Sequence, residues 1–137
     1  MPLSDYARRF LDAKLADVDP DLEQLLALEA ERQQRHIILI PSESMAPPAV
    51  LRALGSVFNN VYAEGYPPSR MTRDDEERLL EFDHQLAYYR RYADRRFYKG
   101  TSYVHFVETL AQRRCAALFA TSQVPAEHIY VNVQPLS

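Results

Sequence analysis

The stretch Tyr62-Ala63-Glu64-Gly65-Tyr66-Pro67 sets one carboxylate between two phenols, directly before a glycine and a proline. A carboxyl group in such a loop is the kind that general acid–base chemistry uses, with the phenols as partners. The same residues also suit a plain turn with packed aromatic rings, and residue types alone leave both readings open. A second polar loop, Ser42-Glu43-Ser44, offers hydroxyls and a carboxylate to a polar ligand, or a cap for a helix starting near Pro48.

Other chemistries find less support. His36, His84, His105 and His128 are scattered, and none stands four residues from another histidine or a cysteine, so no metal site is expected. Each reads as a surface or half-buried histidine, and Cys115, within an apolar helical stretch, as packing. Three glycines cannot build a glycine-rich phosphate loop. The run from Tyr88 to Lys99 mixes arginines with aromatic rings, as a nucleic-acid surface does. However, Glu76, Glu77, Glu81, Asp83 and Asp94 lie on or beside it and the net charge is -3, so cations at a helix C-terminus are the better reading. No apolar run approaches the length of a membrane span and no secretory leader is visible, so the sequence reads as a cytoplasmic protein with no membrane partner.

The elements that must position these loops follow from spacing. With 137 residues, one domain is the first expectation. Tyr6, Phe10, Leu11 and Leu15 predict a short amphipathic helix within 4–16. Asp19-Pro20 reads as an N-cap and first turn, opening a helix to about Arg35 that buries Leu22, Leu25 and Leu26. Residues 37–40 and 128–133 read as short strands, and three prolines make 41–48 a loop. A helix over 49–54 ends at Gly55. Thr72 and Asp75 resemble a capping box, followed by a helix over 73–92 with Leu79, Phe82, Leu86 and Tyr89 inward. A last helix over 103–120 presents Val104, Val107, Ala111, Leu118 and Phe119. The fold class is therefore mostly α with short strands. So many amphipathic helices beside so little sheet place the surface they pack on elsewhere.

Several ordered motifs carry a resemblance. His36-Ile37-Ile38-Leu39-Ile40-Pro41-Ser42-Glu43-Ser44 resembles the "IELIASEN" segment of serine hydroxymethyltransferases, and residues 49–56 the helix that follows it. Asn60-Val61-Tyr62-Ala63-Glu64-Gly65-Tyr66-Pro67 is similar to "NKYAEGYP", Arg96-Phe97-Tyr98-Lys99-Gly100 to "RYYGG", and residues 131–137 to "VNVQPHSG". The motifs stand in the family's order and reach from Asp19 onward.

The resemblance implies a pyridoxal-phosphate enzyme of the α/β aspartate-aminotransferase-like architecture (fold type I). Such an enzyme interconverts serine and glycine, uses tetrahydrofolate as one-carbon carrier, and works as a homodimer or dimer of dimers. It implies that Glu64 is the catalytic acid/base, that Ser42 and Tyr98 bind substrate, and that Tyr62 and Ser42 approach the cofactor. On that frame, 1–18 is an N-terminal helical extension, 19–67 an arm with active-site loops, 68–95 a helical insertion, and 96–137 the start of the cofactor-binding domain. The sequence departs from the motifs at Ser44, Phe97, Lys99 and Leu136. The family's cofactor lysine falls beyond the last matched motif, and neither Lys14 nor Lys99 occupies its position. The chain is thus expected to be an N-terminal piece of a longer enzyme. The alternatives are a non-catalytic partner that docks on a complete enzyme and a folate-independent, aldolase-like paralogue.

Overall fold

The computed structural model describes residues 4–134, so Leu136 and Ser137 lie outside it. It falls into two compact units that meet in the chain between Ala46 and Pro47.

In the first unit, Ser4 caps α1 (Asp5–Asp12), its hydroxyl accepting the Ala7 N–H at 3.2 Å. The single helix expected over 4–16 is in fact two, because Ala13 and Lys14 are extended before α2 (Leu15–Val18). Tyr6, Phe10 and Leu11 are exposed, so no tertiary contact offsets a break in so short a helix. Asp19 then does what its type predicts: its carboxylate accepts the Leu22 N–H at 3.0 Å and Pro20 opens α3 (Pro20–Arg35).

The expected burial of Leu22, Leu25 and Leu26 does not occur. All three are exposed, Leu25 by 60%, and no residue of α3 is buried. A stripe states which face is able to pack, and it takes a second apolar surface to bury it. The strand expected over 37–40 is irregular for the same kind of reason. A strand needs a neighbour to pair with, and Ile37 stands 87% exposed. The segment ends in a turn closed by the Glu43 N–H on the Ile40 carbonyl at 3.0 Å, with Pro41 and Ser42 in the middle.

The second unit opens with α4 (Pro48–Leu54), whose C-cap Gly55 donates its N–H to the Leu51 carbonyl at 2.9 Å. A 3₁₀ turn, Val57–Asn60, leads to the Tyr62–Pro67 loop. The long helix expected over 73–92 is broken into α5 (Ser69–Arg73), α6 (Glu76–Leu79) and α7 (Phe82–Tyr92). Thr72 is no cap: it lies inside α5, and its hydroxyl donates to the Ser69 carbonyl. Asp75 is the cap, accepting the Arg78 N–H at 2.8 Å. Aspartate bonds nearby backbone groups in non-helical geometry, so two in succession favour a break that hydrophobic spacing does not register. Gln85, fully buried on α7, ties the pieces together by donating to Asp74 at 2.6 Å and to the Arg78 carbonyl at 3.1 Å.

Met71, Leu79, Leu86, Tyr89 and Phe106 form the core, with Ala93 and Leu110 packed against it. Phe106 comes from α8 (Ser102–Phe119), which turns inward a face other than the one expected. His105, Phe106, Thr109 and Ala116 are buried, whereas Val107 and Leu118 are exposed, the latter by 79%. Local hydrogen bonds make the polar face buriable: the Thr109 hydroxyl donates to the His105 carbonyl at 2.8 Å. Arg113 adds a tether, its guanidinium donating to the Met71 and Thr72 carbonyls at 3.1 and 3.2 Å.

After a second 3₁₀ turn, Ala126–His128, residues 129–133 run without ladder partners, so the second expected strand is also absent. Among the described residues the protein is mostly helical with no strands. Among them too, no helix is long and apolar enough to cross a membrane, and no group of His, Cys, Asp and Glu is arranged to hold a metal ion.

Candidate active-site loop

Gly65 is the hinge of the Tyr62–Pro67 loop. Its φ of 82° lies in the left-handed region, and a Cβ there would sit 3.1 Å from the Phe97 ring. Glycine meets both demands, an unusual backbone angle and a close aromatic neighbour. Phe97 takes the place of a tyrosine in the motif, and it is its ring that touches the loop.

Glu64, half-buried, accepts the Tyr98 N–H on Oε1 at 3.3 Å. The Tyr98 hydroxyl donates to the Tyr62 carbonyl. The structure therefore brings together three of the four residues singled out from the sequence, Tyr62, Glu64 and Tyr98. The arrangement differs from a carboxylate held by phenols. Glu64 is held by a backbone N–H, the phenol of Tyr98 binds main chain, and Tyr62 is 78% exposed. Ser42, the fourth, lies exposed at the centre of the Ile40–Glu43 turn in the first unit.

The carboxylate opens on a cleft of about 470 Å³, whose walls include Tyr66, Tyr88, Tyr92, Phe97 and His105. Arg96, also on the cleft, is bound to Asp94 through contacts as short as 2.6 Å, which hold the Asp94 carboxyl below its usual range. Tyr89 and His105, both on the cleft, are joined by a buried polar chain: the Tyr89 hydroxyl lies 3.3 Å from Thr101 Oγ1, itself 3.1 Å from His105 Nε2. Nδ1 of His105 is buried without a hydrogen-bond partner. Burial pushes the His105 pKa below its ordinary 6.5, since the charged ring would lose its water.

That shift has a sign. The folded state disfavours the protonated ring, so the associated stability is complete above about 6.5. It declines as pH falls below that value, when the unfolded chain takes up the proton first. The second unit is expected to lose thermal stability between pH 7 and 5, and His105→Gln to flatten that slope. An unchanged slope in melts across this range would show that His105 is not the group responsible.

Sequence reasoning overlooked a second set of residues. Gln134 Nε2 donates to the Gly65 carbonyl at 3.0 Å and to the Glu108 carboxylate at 3.0 and 3.1 Å. Asn132 fixes the Gln134 backbone, accepting its N–H at 3.0 Å and donating to its carbonyl at 3.2 Å. Burial raises the Glu108 carboxyl above its usual range, and the Gln134 bond opposes that rise. The available signal was the ordered pair of motifs 69 residues apart, which prove to be in contact.

A pyridoxal phosphate needs a lysine and a phosphate cradle. Lys99 Nζ is engaged with the Arg90 carbonyl at 2.7 Å, and Lys14 stands at the N-cap position of α2 in the first unit without a side-chain capping bond. The described residues do not hold the cofactor by themselves.

Fold and site thus define a helical frame presenting an acid-bearing loop to an aromatic cleft. Residues 15–77 match the family model described as serine hydroxymethyltransferase. The serine hydroxymethyltransferase of Rhodospirillum centenum is 41% identical over 129 residues, 94% of this chain and 22% of that protein. The Bifidobacterium adolescentis protein of the same name is 34% identical over 136 residues, 99% of this chain and 24% of the relative. Serine hydroxymethyltransferase 1 of Mycobacterium tuberculosis is 39% identical over 127 residues, 93% and 22% of the two chains. No solved structure matches. The chain belongs to the serine hydroxymethyltransferase family, and it spans less than a quarter of the length of these relatives.

Proposed function

We propose that this chain supplies the N-terminal active-site loops of a cytoplasmic, homodimeric enzyme that interconverts serine and glycine, with pyridoxal phosphate as cofactor and tetrahydrofolate as one-carbon carrier. The observation that carries the reading is Glu64: a carboxylate held by one backbone N–H, facing a cleft, inside the stretch that matches the family model. A group so placed is able to hold or move a proton at the serine side-chain oxygen as the one-carbon unit leaves. Tyr98 and Ser42 are the substrate contacts in this reading, and Tyr62 and Ser42 the residues nearest the cofactor. The cofactor's lysine and the parent fold type I sheet belong to the longer chain, and 68–95 is an insertion on that frame. The exposed leucines of α3 agree with packing on such a domain.

The test is serine cleavage by the longer chain, with and without tetrahydrofolate. Glycine release that needs the folate supports the proposal. Release indifferent to folate turns the reading to an aldolase-like paralogue. No cleavage, together with stable co-purification of this chain on a complete enzyme, turns it to a docking partner.

A further inference from the structure

The acid loop is anchored at one end by the Tyr98 N–H on Glu64, and the next residue, Gly65, is held from a different part of the chain. Gln134 Nε2 carries two hydrogens and faces three oxygens. One hydrogen goes to the Gly65 carbonyl, and the other is shared by the two oxygens of Glu108. The carboxylate is a charged acceptor on the long helix α8, so it fixes which way the amide points. The Asn132 bonds to the Gln134 backbone fix where that side chain begins. We infer that Gln134, oriented by Glu108, is a positioning residue for Glu64: it clamps the Gly65 carbonyl and thereby holds the loop in the conformation that presents the carboxylate to the cleft. The inference rests on the role proposed for Glu64.

The clamp is needed because of the residue it clamps. A glycine at φ 82° has no Cβ to keep it there, and other backbone conformations are open to it at little steric cost. The Phe97 ring blocks one side of Gly65, and the Tyr98 N–H holds the preceding side chain. The Gln134 bond is the contact on the carbonyl itself. Without it the loop is free to turn about Gly65, and a catalytic carboxylate displaced by about 1 Å loses on the order of 10²-fold in rate.

The experiment uses the longer chain and two variants. Gln134→Met keeps the side-chain length and removes the amide. It is expected to lower kcat about 10- to 100-fold while the KM for serine stays within a few-fold. Hydrogen exchange is expected to quicken in residues 62–66 and to remain unchanged in α7. The exchanged pair Glu108→Gln with Gln134→Glu separates positioning from simple support. It rebuilds the bond between positions 108 and 134 but sets an acceptor against the Gly65 carbonyl. Its thermal midpoint is expected to recover while kcat stays low. Wild-type kcat in Gln134→Met, or full recovery of kcat in the exchanged pair, would overturn the inference. If the wild-type chain cleaves no serine, the proposed function fails instead. Loop exchange in Gln134→Met then decides the clamp alone, and unchanged exchange refutes it.

Discussion

On the proposed function, Glu64→Gln in the longer chain is expected to lower serine cleavage by about 10²- to 10⁴-fold, the range a positioned acid–base group contributes. The substitution isolates proton chemistry from structure. A glutamine amide oxygen still accepts the Tyr98 N–H, so the loop keeps the bond that holds the side chain. Position 64 is only half-buried, and the exchange of one oxygen for an NH₂ group leaves no core cavity. Stability is therefore expected to change by no more than about 0.5 kcal/mol, the usual bound for such sites. The check is kcat/KM for serine with tetrahydrofolate beside a thermal melt of the same preparation. Turnover equal to wild type would remove Glu64 from the chemistry.

The second large effect is on stability. Leu79→Ala is expected to destabilise the second unit by about 3 kcal/mol, within the range for emptying a leucine site in a packed core. Leu79 is 0% exposed and belongs to a cluster whose other members are Met71, Leu86, Tyr89 and Phe106. It sits at the end of a four-residue helix, which has no stability of its own to fall back on. A total stability of only 5–15 kcal/mol is usual for a domain, so the loss is a large share of it. Leu25→Ala on the open face of α3 is the contrast, with a change of about 0.5 kcal/mol or less. Urea denaturation of the three proteins makes the comparison, and similar midpoints for both variants would show that the cluster is not what holds the unit together.

Much of this was legible from residue types. Asp19-Pro20 announces α3 because a carboxylate and a fixed φ both serve a helix start. The Tyr62–Pro67 loop is visible because its glycine and proline disfavour regular structure and its carboxylate has chemical capacity. Its hydrogen bonding was not legible, since it comes from a backbone N–H and two side chains that lie 34 to 69 residues downstream. The breaks around Asp74 and Asp75 escaped a reading based on apolar spacing, because polar bonds to Gln85 and Arg78 produce them. The inward face of α8 escaped for a related reason. Hydrophobicity points to Val107 and Leu118, whereas His105 and Thr109 are the buried residues, with the Nε2 of the one and the hydroxyl of the other bonded four residues away. The two expected strands had the right composition and no partner, and pairing is a property of two segments.

The spacing of the bonds on the acid loop has a consequence for how it matures. On the ribosome a chain emerges N-terminus first, at about 5–20 residues per second. Tyr98 follows Glu64 by 34 positions, and Gln134 follows Gly65 by 69. The carboxylate is therefore able to find its first anchor seconds before its glycine is fastened. A nascent chain halted between the two would carry the acid in place on a loop still unlocked.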